Sequence, residues 1–137
     1  MPRSNAGTDL QARVSYDTAS TGTGSYAAAN YIALTANSTT PAAGNTTLAG
    51  EITTAGGGLV RAQAAYAHSN GTNTAVLTKT FTINASDVTP TTPAKAGLLN
   101  ASSAGTLAYE TLIPNPPPLV FASGVGDSCA ITWTFTL

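Results

Sequence analysis

Cys129-Ala130-Ile131-Thr132-Trp133-Thr134-Phe135-Thr136-Leu137 alternates without a break. Cys129, Ile131, Trp133, Phe135 and Leu137 fall on one side. Ala130, Thr132, Thr134 and Thr136 fall on the other. A period of two over this length specifies a β-strand with one buried face. Placed at the end of the chain, it is expected to lock the C-terminus into a sheet.

The same reading extends upstream. Residues 74–83 place Leu77, Phe81 and Ile83 on one face, interrupted by Lys79, and Thr74, Thr78, Thr80 and Thr82 on the other. Residues 59–68 precede them, and the intervening Ser69-Asn70-Gly71-Thr72-Asn73 contains Asn-Gly, a tight-turn signal. Residues 59–83 therefore read as a β-hairpin. Its first arm carries Val60, Ala62, Ala64 and Tyr66 on one face, Arg61 and Gln63 on the other.

Weaker strands are expected at 30–36, 94–100, 106–113 and 119–121. In 106–113, Leu107, Tyr109 and Ile113 are assigned to one face. Turn-rich pieces at 37–45, 55–58, 89–93, 102–105 and 123–127 separate them. Turn signals spaced by about 8–12 residues mark a sandwich or barrel. Residues 46–52 are the one candidate for a short helical turn. Residues 1–25, rich in Ser, Thr, Gly and Asn, read as an extended N-terminal arm. Asn115-Pro116-Pro117-Pro118 reads as a rigid polyproline connector or edge segment. The expected architecture is all-β: a single antiparallel β-sandwich or barrel-like domain over 26–137, preceded by the arm.

Composition narrows the function. The chain has 137 residues and a formal net charge of −1, with 8% charged side chains against 42% hydrophobic ones. An average soluble domain carries about 25% charged residues. Arg3, Arg13, Arg61, Lys79 and Lys95 are scattered, so neither nucleic acid nor an anionic membrane finds a basic cluster. Ala and Thr exceed a third of the chain. Their surfaces are polar through hydroxyls, and a partner can cover them without desolvating ions.

With one cysteine, Cys129, no internal disulfide can form. No apolar run reaches the roughly 20 residues of a membrane span. Met1-Pro2-Arg3-Ser4-Asn5 lacks the apolar stretch of a signal peptide, so the expectation is a protein kept in the cytoplasm or released by lysis.

Catalytic constellations are weak. His68, the only histidine, abuts the Asn-Gly turn and reads as a solvated strand end. Cys129 lies on an apolar face and reads as a small buried hydrophobe. Asp9, Asp17, Glu51, Asp87, Glu110 and Asp127 are widely spaced, each near a turn, strand end or exposed face, without metal-ligand spacing. Gly56-Gly57-Gly58 is followed by Leu59-Val60-Arg61, not by the Lys-Ser/Thr of a phosphate loop. Asn37, Asn45, Asn70, Asn84 and Asn100 match the N-glycosylation pattern, as expected by chance in a Thr/Asn-rich chain. Tyr16, Tyr26, Tyr31, Tyr66 and Tyr109 are candidates for core-edge packing, with one or two reaching a partner. No enzyme activity, catalytic residue, cofactor or metal is expected.

Three segments carry a family resemblance: Tyr31-Ile32-Ala33-Leu34-Thr35, then Thr46-Thr47-Leu48-Ala49-Gly50-Glu51-Ile52, then Gly58-Leu59-Val60-Arg61-Ala62. Ala96-Gly97-Leu98-Leu99-Asn100-Ala101-Ser102-Ser103-Ala104-Gly105-Thr106-Leu107 adds to it. So do Ser123-Gly124, Gly126-Asp127-Ser128 and Ile131-Thr132-Trp133-Thr134. Over roughly residues 26–137 the chain resembles small accessory virion proteins of tailed bacteriophages, labelled as head-decoration or tail-fibre proteins. It departs from them at Asn115-Pro116-Pro117-Pro118 and at Val125. The resemblance transfers no catalytic or ligand-binding residue. It implies a capsid decoration (cement) protein bound to the major capsid protein, assembled in the host cytoplasm, carried on the virion surface, and forming a homotrimer. The alternatives are a tail, baseplate or fibre component, a receptor- or carbohydrate-binding module, and an enzyme such as a depolymerase.

Overall fold

The computed structural model describes residues 12, 15–17, 27–53, 58–84, 92–114 and 126–137. The strands are β1 (Tyr31–Thr35), β2 (Ala62–Gln63), β3 (Ala65–His68), β4 (Thr74–Thr82), β5 (Lys95–Leu99), β6 (Leu107–Leu112) and β7 (Ser128–Thr136). They form two antiparallel sheets, ordered β2-β1-β5-β6 and β3-β4-β7. Ile32, Leu34, Ala96 and Leu98 of the first sheet meet Ala75, Leu77, Phe81 and Ile83 of the second in one core. The all-β sandwich read from the sequence is the observed fold. The expected strand at 119–121 and the connector at 115–118 lie outside the described residues.

The three-stranded sheet follows the alternation closely. β7 is exposed and half-buried by turns along all nine residues. β4 buries Ala75, Leu77 and Phe81 on the same side. In the register, Leu77 faces Trp133 and Phe81 faces Cys129, while Thr78 faces Thr132.

The expected hairpin 59–83 needs a correction. Its first arm is two strands, not one. Ala62–Gln63 pairs with β1 in the first sheet, and Ala65–His68 pairs with β4 in the second. The switch happens at Ala64, whose N–H donates to the Asn30 carbonyl at 2.8 Å. Alternation in the sequence continues through Ala64 and cannot report that the ladder partner changes.

The two central strands of the four-stranded sheet, β1 and β5, are buried on both faces. Alternate residues Ile32, Leu34, Ala96 and Leu98 enter the main core. Their neighbours Ala33 and Leu99, with Leu107 and Leu48, form a second cluster on the outside, against which Tyr31 packs. Leu48 comes from the segment between β1 and β2, which lies across this outer face. A side chain at Gly97 would meet Leu107 at 3.0 Å and Leu48 at 3.1 Å. The bare glycine is what lets the covering segment come so close.

That segment is not the helical turn expected at 46–52. Glu51 N–H donates to the Leu48 carbonyl at 3.3 Å, with Gly50 at φ +67. This is a type II β-turn, which requires a left-handed residue at its third position. Glu51 then bridges to Thr35, and Ile52 N–H donates to the Leu34 carbonyl at 2.9 Å. The buried Thr35 hydroxyl lies 2.9 Å from the Ala49 carbonyl and 2.8 Å from that of Gly50, and accepts from Asn37 N–H at 3.0 Å.

The assignment of Leu107, Tyr109 and Ile113 to one face also changes. The ladder slips between Leu98 and Leu99, so Leu98 faces Tyr109 while Leu99 faces Leu107. This β-bulge turns Leu107 to the outer cluster and leaves Tyr109 on the core side. Of the expected arm, only Ala12, Ser15, Tyr16 and Asp17 are described. Ala12 and Tyr16 are buried in the main core, and Ala29 N–H donates to the Ser15 carbonyl at 3.1 Å.

Candidate interaction surface

Two ion pairs, one buried and one partly buried, organise the four-stranded sheet. Lys95 Nζ lies 2.9 Å from Glu110 Oε2, their side chains 1% and 6% exposed. Lys95 and Glu110 both project from the outer face of the sheet, beside Gly97. Ala42 N–H and the Asn45 side-chain amide donate to the other Glu110 oxygen, the first at 3.1 Å. Burial pushes the Glu110 carboxyl up, but the hydrogen bonds from Lys95, Asn45 and Ala42 outweigh it and hold it below its ordinary value.

Arg61 forms the second pair. Its Nε donates to Glu51 Oε1 at 2.8 Å and its Nη2 to Glu51 Oε2. Nη1 donates to the carbonyls of Ala101 at 3.0 Å and Ala104 at 2.7 Å. A planar guanidinium suits this fork, and here it ties the covering segment to the β5–β6 loop. An open cleft of about 650 Å³ lies over it, with Thr47, Thr53, Ser102 and Ser103 among its lining. Arg61 and Glu51 neutralise each other at its floor, so the cleft offers a ligand hydroxyls rather than charge.

Glu51 does close a turn, as the sequence reading had it, and both carboxylates carry cationic partners that the reading did not assign. The available signal was Lys95, a cation inside the otherwise apolar Ala94-Lys95-Ala96-Gly97-Leu98-Leu99. An ammonium in a buried strand demands a carboxylate partner.

The other singled-out residues that are described make local contacts. His68 Nδ1 lies 2.7 Å from the Thr74 carbonyl, an acceptor, so this nitrogen carries the proton and closes the hairpin end. Cys129 is half-buried against the core, and burial pushes its thiol up. Asp127 accepts Ile83 N–H at 2.8 Å through its backbone carbonyl. Asp9, Asp87, Gly56, Gly57 and Tyr26 lie outside the described residues. Among the described residues, no three His, Cys, Asp or Glu side chains gather where they could hold a metal ion. No described helix is long and apolar enough to cross a membrane.

Glycosylation-pattern asparagines act in turns. Asn37 Oδ1 accepts from Thr39 N–H at 2.8 Å, and Asn100 Oδ1 from Thr106 N–H at 2.7 Å. The tyrosines divide. Tyr16 stacks on Phe135 with ring centroids 4.2 Å apart, and burial together with the Tyr109 hydroxyl pushes its phenol up. Tyr109, 47% exposed, lies 5.3 Å from Phe135. These rings join the edge strands of the two sheets.

The outer face of the three-stranded sheet is chemically uniform. The ladder registers place Ala65 and Ala67 of β3, Thr74, Val76, Thr78, Thr80 and Thr82 of β4, and Ser128, Ala130, Thr132, Thr134 and Thr136 of β7 on it. None of these side chains is charged. Thr78 and Thr132 hydroxyls lie 3.3 Å apart across the strands. Alternation in β4 and β7 had already put their threonines on one side; the register adds that the two threonine sets form a single face. No protein-family model, no curated protein and no solved structure matches the chain.

Proposed function

We propose that this is a structural protein of a tailed-bacteriophage virion, a capsid decoration protein that binds the major capsid protein lattice and stabilises the head. One observation carries the reading: the exposed face of the β3-β4-β7 sheet is built of hydroxyl, methyl and small side chains with no charge. Covering such a face releases water from apolar methyl groups and removes no ion from solvent. The hydroxyls can exchange water for acceptors on the covering surface. The segment between β1 and β2 lies across the outer face of the other sheet, so the two outer faces differ in character. The resemblance over residues 26–137 supplies the identity of that lattice.

The mechanism is linkage. A protein that binds only the assembled shell stabilises it by mass action, and weak contacts repeated over the lattice add up through avidity. The test is rebinding. Purified protein mixed with stripped heads is expected to sediment with them and to raise the temperature at which they release DNA. Thr78→Glu combined with Thr134→Glu, which charges the face, is expected to abolish both. Binding confined to tails, or to neither part, sinks the reading.

A further inference from the structure

We infer that β7 is a self-association edge, which pairs antiparallel with β7 of a second copy of this chain about a two-fold axis at Thr132. This goes beyond the proposed capsid role and holds whichever virion part carries the protein.

In an antiparallel ladder, alternate residues aim both backbone groups at one neighbour and the intervening residues aim theirs at the other side. Asp127 accepts Ile83 N–H, and Leu137 N–H donates to the Asn73 carbonyl, each at 2.8 Å. Odd-numbered residues of β7 therefore face β4. Ala130, Thr132, Thr134 and Thr136 aim their N–H and C=O groups outward, where the sheet order β3-β4-β7 holds no further strand among the described residues.

The other edges carry the usual protections against strand addition. β2 is two residues long. β3 is four, and ends at His68 bonded across the turn. β6 is bulged, and its outward Leu107 N–H is taken by the Thr46 carbonyl at 3.0 Å. β7 runs nine residues with no proline, glycine, bulge or charged side chain. The core is also thinner beneath it. Leu77 and Phe81 are sealed at 0% exposure, whereas Trp133 and Cys129, opposite them in the ladder, are only half-buried.

The occupant follows from self-complementarity. Thr132 is the midpoint of Ser128–Thr136. An axis there sets Thr132 opposite Thr132 of the second copy, Ala130 opposite Thr134, and Ser128 opposite Thr136. These are the residues whose backbone groups point outward. The same register sets Ile131 opposite Trp133 and Cys129 opposite Phe135, so apolar side chains meet apolar ones on one continuous face. A two-fold contact of this kind closes on itself, and it requires no second type of edge. A cyclic trimer built through β7 would need that strand to meet a different, protected edge.

The experiment uses the full chain. Light scattering and sedimentation across a concentration series are expected to show monomer passing to dimer. Thr132→Lys places two ammonium groups opposite each other at the axis. It is expected to halve the mass while far-UV circular dichroism stays unchanged. In a Cys129→Ala background, Thr132→Cys is expected to give a disulfide-linked dimer on mild oxidation, and Thr134→Cys is not. Hydrogen exchange at Thr132 and Thr134 amides is expected to be slow in the dimer and fast in the Thr132→Lys monomer, with Ile131 and Trp133 protected in both. A wild-type chain that stays monomeric, a mass of three chains, a dimer that survives Thr132→Lys, or protected Thr132 amides in a monomer would overturn the inference.

Discussion

The two sheets bury their strands in opposite styles. β4 and β7 are dressed on one side only, threonine outward and hydrocarbon inward. β1 and β5 are enclosed on both sides, and β5 is buried at every position. The first style needs nothing but alternation. The second needs a covering segment, a bare glycine, and a way to satisfy polar groups that water can no longer reach. The molecule's vulnerability is concentrated accordingly: polar detail matters in the enclosed sheet and hardly at all on the threonine face.

The sharpest break targets Lys95. Lys95→Met strands the Glu110 carboxylate in a buried site, and breaking a pair in this way costs about 3–5 kcal/mol. Urea unfolding is expected to show that loss, and Lys95→Met with Glu110→Gln is expected to recover much of it. A loss under about 1 kcal/mol for the single change would mean that the pair is effectively solvated.

Gly97→Ala comes next. The new methyl falls within 3.0–3.1 Å of Leu107 and Leu48 side-chain carbons. Overpacking of this sort costs about 1–3 kcal/mol. Thr35→Val removes the hydroxyl that bonds Ala49 and Gly50 and caps Asn37, and is expected to cost about 1–3 kcal/mol. Both are read by thermal melting, and a neutral result at both would show that the covering segment contributes little.

A pH titration sharpens the same point. Because the folded Glu110 carboxyl lies below its ordinary value of about 4.3, the unfolded chain takes up the proton more readily. Its stabilisation is complete above that value and is lost as pH falls through the folded one. Glu110→Gln is expected to flatten the fall in stability on the acid side of the ordinary carboxylate range, measured by urea midpoints. Smallest of all, Thr134→Val on the open face is expected to shift stability by less than about 0.5 kcal/mol.

This division explains what could be read in advance. β7 and β4 were legible because Thr132, Trp133, Thr134 and Phe135 write the period of two directly into the chain. β1 and β5 were legible only as apolar runs, since Ala33, Gly97 and Leu99 face a second core that no local pattern announces. The turn at Leu48–Glu51 was mistaken for a helical one because Thr-Thr-Leu-Ala fits either, and the decision lies in Gly50 packing under Thr35. The bulge near Leu107 and the sheet change at Ala64 depend on partners distant in sequence. Of the candidate surface, the threonine faces of β4 and β7 were visible in the sequence. Their fusion into one surface, and the place of β7 at the end of the described sheet, required the register.

The passage at Ala64 has a mechanical consequence. β2 and β3 are joined by one residue, so the chain has no slack between the layers at that corner. Sliding one sheet over the other would have to tear the Ala64–Asn30 hydrogen bond or unzip a ladder. At this corner, relative movement of the layers is thereby coupled to loss of strand pairing.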